Sequence, residues 1–154
     1  MKFSLKIFIC MTFVLLLFVS QASAGFFQAH VIEVVNSYTI KVLADDGVKV
    51  VRLAEVVCPS SKLGAHLCAG QAREFILKVT SGKELTIEYW ATDAAGRSVC
   101  EVFLPDGSSL GKLLVAKGYA LEDKQYSSSP DLSRLEGAAK RNKQGVWRHV
   151  AQAL

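Results

Sequence analysis

The chain has 154 residues, 51% of them hydrophobic and 21% charged, with a formal charge of +4. That length suits one domain of about 100–200 residues. The apolar content excludes an intrinsically disordered chain, and the positive charge raises nucleic acid as a partner only if the cations lie outside any segment lost to processing.

The N-terminal segment changes that balance at once. Lys2 and Lys6 precede an apolar run from Ile7 to Val19 in which only Thr12 is polar, and Ala22-Ser23-Ala24 gives a small-residue cleavage pattern. This is the layout of a signal peptide cut after Ala24. The run is shorter than the ~20 apolar residues that a membrane-spanning helix needs. Residues 1–24 are therefore expected to be removed, and residues 25–154 to form one secreted or periplasmic domain. Two lysines and no acids leave with the signal, so the remainder holds sixteen basic and fourteen acidic residues, a charge of +2. Bulk charge then gives no case for nucleic acid, which has to rest on individually placed cations. Three cysteines remain, Cys58, Cys68 and Cys100, in a compartment that permits disulfides.

Ala29–Val35 and Thr39–Leu43 are rich in β-branched residues, with Asn36-Ser37 as the turn between them. Asp45-Asp46-Gly47 predicts a hairpin, and Val48–Val57 the returning strand. The stretch from Pro59 to Gly70 reads as a loop. Gln71–Thr80 places Ala72, Phe75, Ile76 and Val79 on one helical stripe, closed by Ser81-Gly82. Glu84–Trp90 and Arg97–Leu104 alternate as strands around a turn at Asp93–Gly96, with Ser98, Cys100, Val102 and Leu104 on one face. Pro105-Asp106-Gly107 turns the chain into a helix from Ser109 to Lys117, closed by Gly118. After a polar loop at Gln125–Pro130, Asp131 or Ser133 caps a last helix to about Asn142, and Gly145 follows it. Five strands in two meanders, interrupted by a helix, predict an α+β, mainly β, fold: a five-stranded Greek-key barrel of the OB type with about three helices outside.

Four segments in this order resemble the staphylococcal nuclease (thermonuclease) family. Val34-Val35-Asn36-Ser37-Tyr38-Thr39-Ile40 stands where that family has V-x-D-G-D-T-V. The segment from Val51-Arg52-Leu53 to Val57-Cys58-Pro59-Ser60 stands where it has R-L-x-x-I-D-x-P-E. Asp93-Ala94-Ala95-Gly96-Arg97 matches its D-x-x-G-R turn. Leu113 to Ala120, then Ala138–Arg141 with Gly145-Val146-Trp147, match its L-V-x-x-G-x-A and G-x-W tail. The likeness covers about residues 29–148.

Members of that family hydrolyse phosphodiesters with one Ca²⁺, held by two Asp carboxylates and a backbone carbonyl. A Glu serves as base and two Arg steady the phosphate. Carried over by position, the metal-ligand places hold Tyr38, Val57 and Cys58, and the base place holds Ser60. The phosphate-stabilising catalytic positions keep Arg52 and Arg97, and Tyr126 matches a loop tyrosine that stacks on a base. Loss of a base alone lowers rates by about 10²–10⁴.

The resemblance thus implies a secreted, catalytically impaired domain that binds nucleic acid, nucleotide phosphate or a protein. It is expected to be monomeric, without cofactor, and off the membrane once its signal is cut. The alternative is an active phosphodiesterase, an endonuclease on DNA or RNA with a rebuilt Ca²⁺ site or a metal-free mechanism. Among possible replacements, the parity of Glu55 with Leu53 turns it away from Arg52, and His66 is the best-placed substitute base. Cys58 and Cys68, nine residues apart, are expected to form a disulfide over the vacated metal pocket; Cys58, His66 and Cys68 as a zinc set lack a fourth ligand. Cys100 reads as a core thiol, and Trp90 and Trp147 as packing residues.

Overall fold

The computed structural model describes residues 25–58 and 62–150. The signal segment, Pro59 and Ser60 lie outside the described residues. The β-branched first half forms β1 (Phe26–Asn36), β2 (Thr39–Ala44), β3 (Gly47–Leu53) and the short β4 (Val56–Val57). Helix α1 (Lys62–Thr80) follows, then β5 (Leu85–Thr92), β6 (Ser98–Phe103) and α2 (Leu110–Ala116). The chain ends with β7 (Leu121–Glu122), α3 (Pro130–Arg141) and α4 (Trp147–Val150). Five strands close a barrel in the order β1-β2-β3-β6-β5, as the alternation predicted, and closure leaves it no open edge. Among the described residues only β3 and β6 pair in parallel. The strands β4 and β7 form a separate two-stranded ladder at the barrel's rim.

Inward positions of the barrel strands carry Ile40, Val42, Val51, Leu53, Leu85, Ile87 and Val102, all buried. Each such side chain contributes about 1.5–3 kcal/mol by leaving water. Cys100 is buried among them, as its parity predicted. Among the described residues no helix is long and apolar enough to cross a membrane.

Three local expectations change. Helix α1 begins at Lys62, so most of the stretch read as a loop is helical. Its buried stripe starts earlier than the sequence suggested: Cys68, Ala72 and Ile76 are all fully buried at successive i, i+4 positions. That burial outweighs the roughly 1 kcal/mol that an exposed glycine such as Gly70 costs a helix. Second, Val48–Val57 is not one strand. It breaks at Ala54-Glu55, where Glu55 adopts φ 59°. Third, the cap of α3 is Ser129, whose hydroxyl accepts from the Leu132 N–H at 3.4 Å, with Pro130 opening the helix. Ser109, where the sequence predicted the helix to start, is the cap of α2, accepting from Lys112 N–H at 3.1 Å.

The tail motif has a steric basis. Gly118 and Gly145 both have positive φ and lie back to back, with Val146 N–H donating to Gly118 O at 3.0 Å. A Cβ on Gly118 would sit 2.3 Å from Gln144 O, and one on Gly145 would sit 2.2 Å from Gly118 O. Only glycine fits either place.

Candidate functional site

The parallel pairing of β3 with β6 sets Arg52 beside Val99 and brings Arg97, just before β6, to the same end of the barrel. Both arginines line one cavity of about 520 Å³, together with Ala54, Glu55, Trp90, residues 91–95, Val99 and Tyr126. The D-x-x-G-R turn is a self-contained clamp. Asp93 accepts from the backbone N–H groups of Ala95 (3.0 Å) and Arg97 (2.9 Å) and from Arg97 Nε (2.7 Å). Gly96 takes the positive φ that closes it. These bonds, the Arg97 backbone donor foremost, hold the Asp93 carboxyl below the usual carboxylate range. Arg97 spends Nε on Asp93, while its terminal nitrogens have no hydrogen-bond partner among the described residues.

Arg52 is held differently. Its Nη2 donates to Asp123 Oδ2 at 3.0 Å, and the two side chains are only 14% and 12% exposed. The guanidinium also lies 5.7 Å from the Tyr38 ring centroid, within cation–π range. Asp123 comes from the loop after β7, and its N–H donates to Glu55 O at 2.8 Å. That loop is pinned by two buried carboxylates. Glu136 Oε2 accepts from Glu122 N–H at 2.8 Å. The Glu122 carboxylate in turn accepts from Lys124, Ser127 and Ser133. Burial pushes the Glu122 carboxyl up, but these donors outweigh it and hold it below the ordinary range. Tyr126 is thereby fixed through its backbone, its N–H donating to Asp123 O at 3.0 Å, while its ring stays 68% exposed.

The positions that the resemblance assigns to metal ligands hold Tyr38, Val57 and Cys58. Tyr38 offers an aromatic ring that is already against Arg52, and Val57 offers no donor. Among the described residues no group of three or more His, Cys, Asp or Glu side chains could hold a metal ion. A hard cation needs several oxygens, usually with carboxylates, so the residues present at these positions do not fit Ca²⁺. His66 sits on α1 rather than in a loop, and lines a different cavity with Val34, Val35, Asn36, Ala69, Gly70 and Arg73. It is not brought to the arginines.

Two side chains move into the site against expectation. The break at Ala54-Glu55 cancels the strand parity, and Glu55 lines the cavity beside Arg52. A non-glycine residue at positive φ is costly and clusters at functional sites. Trp90 is 46% exposed and lines the same cavity, so it is not a packing residue. Trp147 does pack, half-buried, with Lys140 Nζ 4.4 Å from its ring centroid. Asp123, Glu122 and Glu136 were missed by sequence reasoning. The only trace of them is a cluster of acids within an otherwise polar stretch, which resembles a solvated loop.

The structure holds Cys58 and Cys68 as two thiols hydrogen-bonded to each other, not as the bridge expected from the sequence. The Cys68 hydrogen bond brings the Cys58 thiol down to about 7, against the opposing effect of burial. The same contact, with burial, pushes Cys68 upward. Burial pushes Cys100 up to about 12, against the opposing charge of Lys49.

Comparison with known proteins agrees with this fold. Residues 50–149 match the family model described as staphylococcal nuclease homologue. An uncharacterized endonuclease of Escherichia coli O157:H7 is 27% identical over 120 residues, covering 78% of this chain and 76% of that protein. A probable staphylococcal-like nuclease CAN1 of Oryza sativa subsp. japonica is 29% identical over 97 residues, covering 63% of this chain but 28% of the longer plant protein. The staphylococcal-like nuclease CAN1 of Arabidopsis thaliana is 26% identical over 97 residues, again 63% of this chain, and covers 29% of its own length.

Proposed function

The chain belongs to the staphylococcal nuclease homologue family, and from that premise we propose that it is an exported nucleic-acid-binding module that grips phosphate without a metal. The observation that carries this reading is one cavity holding Arg52, Arg97, Trp90 and Tyr126 while the family's ligand positions hold Tyr38, Val57 and Cys58. Guanidinium groups bind phosphate oxygens with several donors in a planar fork, and exposed aromatic rings stack on bases of any sequence. The domain acts as a monomer in the periplasm or outside the cell once residues 1–24 are removed. It needs no cofactor, and its catalysis is impaired relative to metal-dependent relatives.

Fluorescence anisotropy with a labelled single-stranded oligonucleotide, in chelator, tests the reading. Binding is expected to persist in chelator and to fall at least tenfold in Arg52→Ala combined with Arg97→Ala. Binding that vanishes with chelator, or survives the double substitution, would overturn it.

One observation favours a second reading, a metal-independent phosphodiesterase. Glu55 lines the same cavity as both arginines, and the relatives carry the names endonuclease and nuclease. A carboxylate within reach of an attacking water serves as general base. Hydrolysis of single-stranded DNA in chelator, abolished by Glu55→Gln with oligonucleotide binding retained, would establish this reading over the first.

A further inference from the structure

The cavity chemistry makes no use of Cys58 and Cys68, yet the fold brings them together. Cys58 directly follows β4, and Cys68 lies on the buried face of α1. Their thiols are within hydrogen-bond reach of each other, and the Ser37 hydroxyl near them is buried with no hydrogen-bond partner among the described residues. Cys68 is fully buried, and its Sγ–H donates to Tyr119 O at 2.6 Å. Cys58 is half-buried. One thiol of the pair is thus open to a reagent from solvent and the other is reachable only through the first. That asymmetry is what a dithiol couple requires: an accessible attacking sulfur and a sequestered resolving one.

We propose that Cys58 and Cys68 form a redox couple in which Cys58 meets a disulfide oxidant of the glutathione type and Cys68 resolves the adduct. In the first step the Cys58 thiolate attacks one sulfur of the oxidant. A Cys58–oxidant disulfide forms, the oxidant's own S–S bond breaks, and one small thiol leaves. In the second step Cys68 gives up its proton and attacks Cys58 Sγ, forming the Cys58–Cys68 bond and releasing the second small thiol. The two protein thiols lose two electrons and two protons, and both sulfurs of the oxidant gain them.

The bond change reaches the candidate site through the backbone. Oxidation removes the Cys68 S–H, so Tyr119 O loses that donor. Tyr119 also stacks edge-on against Phe75 of α1, with ring centroids 5.7 Å apart. It stands two residues before β7, which pairs with β4 and leads into Asp123, the partner of Arg52. The couple is independent of the nucleic-acid reading, and its first test reads sulfur directly.

The test equilibrates the full chain in oxidised and reduced glutathione buffers, quenches it with acid and alkylates it. Peptide mapping then follows each cysteine. The oxidised protein is expected to be lighter by two hydrogens, to yield a linked Cys58–Cys68 peptide, and to leave Cys100 unmodified until unfolded. Cys68→Ser is expected to trap the glutathione adduct on Cys58, and Cys58→Ser to acquire no adduct. Closing an 11-residue loop raises Tm by about 5–10 °C in the oxidised form. The proposal is overturned if both thiols persist in the most oxidising buffer, if the adduct on wild-type Cys58 is never resolved, or if Cys100 reacts first. The wild-type map decides the matter even where a variant fails to fold.

Discussion

Replacing Asp123 with Asn separates the two roles that Arg52 plays. The wild-type pair is 3.0 Å long and its side chains are 14% and 12% exposed, so it lies close to the buried limit. Breaking a fully buried pair by removing one partner costs about 3–5 kcal/mol, because a charge is left without compensation. The remaining exposure, and the single hydrogen bond that the Asn carbonyl can still accept, reduce this to about 2 kcal/mol. For a domain of this size that lowers Tm by about 6–10 °C. Nucleotide binding is expected to move the opposite way. In the wild type an incoming phosphate competes with the Asp123 carboxylate for the guanidinium. Without that carboxylate, affinity for a single-stranded oligonucleotide should rise about tenfold, or about 1.4 kcal/mol. Thermal denaturation with and without oligonucleotide, alongside anisotropy, measures both effects on the same samples. A variant that is destabilised and also binds more weakly would refute the reasoning, because Asp123 would then be orienting Arg52 for the ligand rather than competing with it.

Three further outcomes follow from the geometry. Trp90→Ala and Tyr126→Ala should each weaken single-strand binding by about 1–3 kcal/mol in anisotropy titrations, the usual loss per stacked base, with little change in Tm because both rings are exposed. Gly118→Ala should lower the urea midpoint by an amount equivalent to at least about 3 kcal/mol, since its Cβ would meet a backbone oxygen at 2.3 Å and its φ is positive. The Asp93 carboxyl is depressed in the folded state, so its stabilising effect is complete above the unfolded pKa and disappears as pH falls through the lower folded value. The stability gap between wild type and Asp93→Asn in urea melts should therefore hold steady from about pH 5 to 7 and close below about pH 4. A gap that widened in acid would contradict the hydrogen bonds assigned to that carboxylate.

The barrel was legible because it depends on short-range pattern. Alternation along Thr39–Leu43 and Arg97–Leu104, turn residues at Asp45-Asp46-Gly47, and the Asp93–Arg97 turn each specify their own geometry. Family position singled out Arg52, Arg97 and Tyr126, and the structure sets all three along one cavity. What escaped depends on contacts distant in sequence. The start of α1 is set by burial of Cys68 against the barrel and Tyr119, which no local propensity encodes. Glu55 was placed by strand parity, a rule that fails as soon as one residue takes positive φ. Asp123 pairs with a residue 71 positions away, and nothing about an acid in a polar loop announces that partner. The bridge expected between Cys58 and Cys68 was correct about proximity, since the thiols are in contact, but spacing carries no information on oxidation state.

The redistribution of acids bears on what the cavity can hold. In the family pattern the carboxylates face a cation that is not part of the chain. Here Asp123, and Asp93 of the turn that matches the family's, face the protein's own arginines, and Glu55 lines the same cavity. An arriving phosphate therefore meets guanidinium groups whose charge is already largely balanced, and bulk attraction to it is small. What remains available is directional. Arg52 donates only Nη2 to Asp123 and Arg97 only Nε to Asp93, and a guanidinium has five N–H donors. A phosphate can be positioned by the remaining donors, but most of the binding energy has to come from Trp90 and Tyr126. Those rings can stack only on bases that are free of a duplex. Single-stranded oligonucleotides should accordingly bind more tightly than the same sequence in duplex form, with a shallow dependence on salt that reports release of only one or two phosphate counterions. Tighter binding of duplex, or a steep salt dependence, would mean that phosphate contacts carry the interaction and that the two aromatic rings are bystanders.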